Sequence, residues 1–286
     1  MVYIEALQAR LAGATMLKLR LANPFVLRTV EPVPQELVGK RVRSIERLGK
    51  RIVLGFDDDL FLIIHLMIAG RFRWLAAGAK IPGKLGLAAF DFDTGTLVLT
   101  EAGSKRRASI HILRGREALH AHDPGGIEVL DASLDEFTVA LTRERHTLKR
   151  TLTDQHVFSG IGNAYSDEIL HRARLSPVQM TTNLDASELQ RLYDATRAIL
   201  IEWTDRLRAE SGDRFPEKVT AFRNEMAVHG RYNQPCPVCG TKVQRIVYAE
   251  NETNYCARCQ TGGKLLADRA LSRLLHSDWP KSIDDL

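Results

Sequence analysis

From Val42 to about Leu113 the apolar residues come in short runs that read as strands rather than helices. The segments Arg51–Phe56 and Leu60–His65 flank Asp57-Asp58-Asp59, which predicts a hairpin. Residues 71–75, 87–92, 96–100 and 108–113 continue the pattern, separated by Gly-rich or Asp-Thr-Gly connections. Several short strands at this spacing predict a sandwich or a barrel. Ahead of them Ile4, Leu7 and Leu11 share one helical face that ends near Gly13. No Ser, Thr, Asp or Asn stands before that face to cap it.

The pattern changes at Asp123-Pro124-Gly125-Gly126, a strong breaker. Beyond it Ser133 and Glu136 form a capping box, and Leu134, Phe137, Leu141, Leu148 and Leu152 recur at helical spacing. A short helix is predicted over 164–172, before Ser176-Pro177. Asp185 and Glu188 open another, with Leu189, Leu192, Ile199, Trp203 and Leu207 on one face. The expected organisation is α+β: an N-terminal β-sandwich (1–122), a helical domain (123–229), a four-cysteine ribbon (230–262) and a tail (263–286). In the tail, Leu265, Leu266, Leu271, Leu274 and Leu275 predict a short packed helix.

Composition narrows the class. A chain of 286 residues with 44% hydrophobic positions can bury the cores of two or three domains. No apolar run of about 18 residues predicts a membrane span, and the start lacks the features of a secretory signal. A cytoplasmic address is expected. The net charge of +5 is modest, but its distribution is uneven. Lys40, Arg41, Arg43, Arg47, Lys50 and Arg51 crowd together with Glu46 as their one acid. Further basic groups sit at Lys105-Arg106-Arg107 and between Arg143 and Arg150. Such clusters suit a phosphate backbone, and equally a solvated charged surface.

The chemistry-bearing residues are sharper. Cys236-Pro237-Val238-Cys239 and Cys256-Ala257-Arg258-Cys259 are two CxxC pairs separated by sixteen residues, enough for a β-hairpin between them. Two such knuckles aim four thiolates at one point and predict a closed, structural zinc site. Disulfides do not suit a cytoplasmic chain, and a redox CxxC would need a strand–CxxC–helix context. The loop Phe158-Ser159-Gly160-Ile161-Gly162-Asn163 joins two predicted helices. Its glycines allow a close backbone approach, and Gly162 and Asn163 at a helix start suit a phosphate oxygen. An ordinary Gly-rich turn with an Asn cap satisfies the same residues.

Gly160-Ile161-Gly162-Asn163-Ala164-Tyr165, followed by Ser166-Asp167-Glu168-Ile169-Leu170, resembles the helix–two-turn–helix signature of the formamidopyrimidine-DNA glycosylase and endonuclease VIII family. Tyr255-Cys256-Ala257-Arg258-Cys259-Gln260 resembles that family's zinc finger. Gly49-Lys50-Arg51 and His65-Leu66-Met67-Ile68-Ala69-Gly70-Arg71 resemble its N-terminal sandwich. The resemblance implies a base-excision repair glycosylase that removes oxidised bases from double-stranded DNA and acts as a monomer. An N-terminal proline amine attacks C1′ of the flipped nucleotide, and the strand is cut by β,δ-elimination. Carried over by position, Lys50 and Lys149 belong to the catalytic surroundings. Lys50, Lys105, Arg106, Arg107, Gly162, Asn163 and Asn251 contact DNA, which lies in a basic cleft between the first domain and the others. Cys236, Cys239, Cys256 and Cys259 bind one zinc ion. For Lys149 an exposed helix lysine is the competing reading, and His65 is expected to pack in the sheet rather than catalyse.

This sequence also departs from the family pattern. The family opening Met-Pro-Glu-Leu-Pro-Glu is not found ahead of Val2, so the chain is expected to open inside its first helix. An upstream in-frame segment encoding the proline and its neighbouring glutamate is one explanation. A catalytically inactive protein that binds damaged DNA is the other. The wedge phenylalanine is missing from 103–108, Ile68 stands where a void-filling methionine is expected, and Asn251 replaces the zinc-hairpin arginine. Arg245 or Arg258 could substitute for that arginine.

Overall fold

The computed structural model describes residues 1–103, 105–217, 219, 223–248, 251–267, 273–274 and 280–285. Leu271 and Leu275, on which the tail helix was expected, lie outside them, as does Ser104. The chain divides into two compact units, Met1–Pro124 with Thr204–Thr220, and Gly125–Trp203 with Ala221–Leu286. Among the described residues no helix is long and apolar enough to cross a membrane.

The first unit is a sandwich of two antiparallel four-stranded sheets. One has the order β1 (Met16–Leu21), β6 (Gly86–Phe92), β7 (Gly95–Glu101) and β5 (Gly70–Leu75). The other runs β2 (Val42–Leu48), β3 (Arg51–Phe56), β4 (Leu60–His65) and β8 (Ser109–Arg114). Leu54, Leu62, Phe72, Phe90, Leu97 and Ile112 fill the layer between them. The Asp57–Asp59 turn has two residues in the left-handed region, Asp58 at φ 59° and Asp59 at φ 54°, a conformation Asp tolerates better than most residues. Helix α1 (Val2–Leu11) starts at Met1 without a side-chain cap. Its Leu7 and Leu11 are fully buried, and each such side chain contributes about 1.5–3 kcal/mol. Helix α2 (Arg116–His120) places Leu119 over Val53, Phe61 and Ile63 on the outer face of the second sheet.

The unit also claims a segment from far along the chain. Phe215 packs on Tyr3 and Trp74, with ring centroids 5.8 and 6.5 Å away. Arg208 grips the Glu5 carboxylate through two nitrogens at 2.9 and 2.6 Å. Glu5 is held below the usual carboxylate range chiefly by that hydrogen bond.

The second unit contains α3 (Leu134–Thr142), α4 (Leu148–Thr153), α5 (Asn163–Ala173), the part of α6 (Ala186–Ser211) up to Trp203, and the zinc module. Ser133 and Glu136 form the expected capping box. Asp185 and Glu188 bond reciprocally to each other's backbone N–H, at 2.8 and 3.2 Å. Phe137, Leu141, Leu148 and Leu152 share one core, although α3 and α4 are separate helices rather than one. The zinc module carries a hairpin, β9 (Gln244–Tyr248) with β10 (Asn251–Tyr255), and the short α7 (Ala257–Thr261).

Gly126 shows how tightly this unit is built around the loop before α5. Ile127 bridges Phe158, and a Cβ on Gly126 would stand 2.3 Å from the Gln155 carbonyl oxygen. That neighbour is backbone, so Gly126→Ala is expected to cost about 1–3 kcal/mol by overpacking. An unchanged thermal midpoint for the variant would contradict this close approach.

Candidate functional site

In the first unit the crowded basic stretch resolves into unequal members. Lys40 pairs with Asp58, and Arg43 bonds Asp57 at 2.6 Å. Arg51 donates to the His122 carbonyl at 2.5 Å. Two of the six basic side chains, Lys40 and Arg43, are therefore answered by the neighbouring acidic turn. Lys50 differs. It follows Gly49, whose φ of 61° turns the chain between β2 and β3, and it is exposed. No side chain among the described residues pairs with it, and surrounding protein pushes its pKa down. His65 lies opposite Arg51 and Ser109 at the end of β4. Burial, then the charges of Arg51 and Lys50, lower its pKa to about 4, so it is neutral near pH 7. Met67 and Ile68 are both exposed, Met67 with φ 55°.

Lys105, Arg106 and Arg107 project from the β7–β8 loop, all exposed. The loop is shaped by Glu101, a residue the sequence did not flag. Its carboxylate is buried and accepts the backbone N–H of Arg107 and Ala108 at 3.0 Å. Arg106 donates to the Lys84 carbonyl at 2.5 Å.

In the second unit the glycine loop is clamped by Gln155. Its side chain donates to the Ile161 carbonyl at 2.8 Å and accepts the Gly160 N–H at 3.0 Å. Gly160 has φ 83°, which only glycine adopts freely. The helix cap is Gly162, not Asn163, which is the first residue of α5. The Asn163 carboxamide is turned away from its own helix and donates to the Glu252 carbonyl of the zinc hairpin at 2.8 Å. The Asn-cap reading is thus corrected.

For Lys149 the competing reading, an exposed helix lysine, is also corrected. It is a buried lysine, not an exposed one. Its Nζ donates to Asp167 Oδ1 at 2.5 Å and to the Asn163 carbonyl at 2.7 Å. Burial pushes its pKa down, against the opposing pull of Asp167. Asp167 also bonds His229 Nδ1 at 2.8 Å, and Glu168 accepts three backbone N–H groups, from Ala227, Val228 and His229. A helix buried nearly all round must partner its charges. That was the available signal for Asp167 and Glu168: two acids beside Ile169-Leu170 on a short helix.

The four cysteines converge. Their sulfurs lie within 4.8 Å of one another, with Cys236–Cys259 at 3.9 Å and Cys239–Cys256 at 3.4 Å. Tetrahedral zinc with Zn–S of about 2.3 Å requires sulfurs about 3.8 Å apart, so the set fits one structural zinc. Cys256–Cys259 does stand between a strand and a helix, the context expected of a redox pair. Convergence with the first pair, rather than lack of that context, marks it as a metal knuckle. At the start of β10 Asn251 is exposed and pairs with Tyr248 of β9. Arg245 bonds Glu252 at 3.3 Å and lies 4.2 Å over the Tyr232 ring, while Arg258 bonds Asp284 at 2.5 Å.

Residues 2–110 match the formamidopyrimidine-DNA glycosylase N-terminal domain, 126–207 the H2TH domain of the same enzymes, and 233–262 a zinc finger found in FPG and IleRS. A formamidopyrimidine-DNA glycosylase of Heliobacterium modesticaldum is 32% identical over 270 residues, covering 90% of this chain and 96% of that protein. A formamidopyrimidine-DNA glycosylase-like protein of Mycobacterium tuberculosis is 41% identical over 150 residues, 52% of this chain and 93% of its own. Among solved structures, wild-type Lactococcus lactis Fpg (MutM) with an N7-benzyl-Fapy-dG containing DNA has a TM-score of 0.78 at 25% identity, covering 91% of this chain and 98% of that one. With three domains matched in order and this identity held over nearly the whole length of a relative, the chain belongs to the formamidopyrimidine-DNA glycosylase family.

Proposed function

We propose that this protein removes oxidised bases from duplex DNA and cuts the strand at the resulting abasic site. The observation that carries the reading is the match along nearly the whole chain to a relative named as a formamidopyrimidine-DNA glycosylase. In the reaction the family resemblance implies, an N-terminal amine forms a bond to C1′ as the damaged base leaves with its bonding electrons. The nitrogen loses its proton, and its lone pair then expels O4′ from C1′ as O4′ takes up a proton. The resulting iminium acidifies C2′, so that successive proton loss from the sugar carbons expels the 3′ and then the 5′ phosphate and cuts the strand. An α-amine has a pKa of about 8, so a useful neutral fraction exists near pH 7.

The binding roles fall to Lys50, the Lys105–Arg107 loop and the Gly162–Asn163 turn. An Asn amide has two protons; Asn163 spends one on the hairpin carbonyl, and the other suits a phosphate oxygen. Lys50→Ala is expected to weaken binding to any duplex and to reduce the salt dependence by about one counterion. Asn163→Ala is expected to weaken binding without that change in slope, because the amide is neutral. Fluorescence anisotropy across a salt series separates the two, and unchanged affinity of both variants at low salt would remove the phosphate assignment.

Catalysis is tested by borohydride trapping on a lesion-containing duplex, using the chain from Met1 and the chain extended by in-frame codons upstream of it. A trapped adduct with either assigns glycosylase and lyase chemistry. Binding without any adduct would make the protein a non-catalytic reader of damaged DNA.

A further inference from the structure

The zinc sulfurs do not all draw on the ribbon for their hydrogen bonds. Cys236 is different. Its sulfur lies 3.3 Å from Nε2 of His171, a buried side chain in the third turn of α5. Among the described residues this is the one side chain outside the cysteine ribbon that lies within hydrogen-bond distance of a zinc-ligand sulfur. A tetrathiolate zinc centre carries two net negative charges, and Cys236 is itself buried, so water does not disperse them there. An N–H aimed at that sulfur offsets the charge, as outer partners of metal ligands commonly do.

We propose that His171 is a positioning residue for the zinc centre, donating its Nε2–H to the Cys236 thiolate and so tying helix α5 to the metal. The connection has a direction. His171 sits eight residues along the helix from Asn163, about 12 Å at 1.5 Å per residue. The same helix is also held to the zinc module by Glu168, which binds 227–229, and by Asn163, which bonds the hairpin. Metal occupancy and the seating of the Gly162–Asn163 turn therefore share one rigid element. His171 meets the first knuckle at Cys236, whereas Gln260, beside the second knuckle, bonds the Leu175 carbonyl, 2.9 Å away just past the end of α5. The two knuckles are thus anchored separately.

The inference rests on the zinc site, whose occupancy is measured independently as zinc per chain. With the full-length zinc-loaded protein, the ring nitrogens of His171 are read by nitrogen-15 NMR. A protonated Nε2 with a bare Nδ1 is expected; a bare Nε2 overturns the proposal even if zinc is bound stoichiometrically. In parallel, His171→Phe is expected to lose zinc to a competing chelator about 10–100-fold more readily than the parent. His171→Gln, which keeps an amide donor of similar reach, should recover part of that loss. In the cobalt-substituted protein the thiolate-to-metal charge-transfer bands of His171→Phe are expected at lower energy, since a sulfur without its donor is more electron-rich. Parent-like zinc retention together with unshifted cobalt bands would likewise overturn it.

Discussion

Removing the zinc, by chelation or through Cys256→Ser, is expected to unfold residues 233–262 and abolish binding to lesion-containing duplex. The reason is how little else holds the module. Its buried apolar cluster is Val228, Cys236, Val243 and Cys256 with Cys259 against it, so three of its five members are metal ligands. A second small cluster, Tyr255, Ala257 and Leu265, lies just beyond. Fully burying two valines contributes only a few kcal/mol at about 1.5–3 kcal/mol each. Structural zinc in comparable peptides contributes about 10–16 kcal/mol. The metal term dominates, and Ser, a harder and less acidic ligand, does not replace a thiolate. The hairpin carbonyl of Glu252 that receives the Asn163 amide is lost with the module, so the effect reaches the glycine turn as well. Limited proteolysis and zinc content measured beside a binding titration check the prediction. Metal-free protein that resists cleavage within 233–262 and binds duplex within about twofold of the zinc form would sink it.

Much of this was legible in the sequence, for local reasons. A CxxC pair, a capping box and a Gly-Ile-Gly-Asn turn are each specified within a few residues, so they could be read without knowing what packs on them. The strands from Arg51 to His65 were readable for the same reason: a fully buried sheet writes itself as apolar runs around an acidic turn. Strand β1 was not readable. Its pairing with β6 shifts register between Met16 and Lys18, and Leu17 is left exposed, so the alternation misleads.

The site residues divided along the same line. Lys50 and Asn163 announce themselves through their neighbours in sequence. The basic stretch around Lys50 overstated the positive surface, because Asp57 and Asp58 answer Arg43 and Lys40 only once the sheet is folded. The roles of Asp167, Glu168 and His171 depend on Lys149, His229, the 227–229 backbone and Cys236. Those partners come from outside α5, and no pattern within the helix names them. What the sequence did carry was a mismatch, ionisable residues on a helix with no polar face, and a mismatch of that kind points to hidden partners.

Lys149 and Asp167 form the buried pair on which that part of the unit turns, and breaking it is expected to cost about 3–5 kcal/mol. The Asp167 side chain is fully buried, and the Lys149 side chain is 13% exposed. Replacing either partner leaves the other in a site it cannot leave. The two replacements should differ in their pH dependence. In Asp167→Asn the lysine loses the carboxylate that held its proton against burial, so its already lowered pKa falls further. A lysine whose folded pKa lies below its unfolded value, about 10.4, penalises folding most below the folded pKa. That penalty is relieved as pH rises from the folded toward the unfolded value. The deficit of Asp167→Asn relative to the parent should therefore shrink as pH rises toward about 10. Lys149→Met has no such amine, so its deficit should not shrink in this way. Both variants should also weaken duplex binding, because Lys149 holds the Asn163 carbonyl as well as Asp167. Urea unfolding at three pH values checks the claim; equal, pH-independent deficits below about 1 kcal/mol in both variants would mean the pair is not what holds the turn.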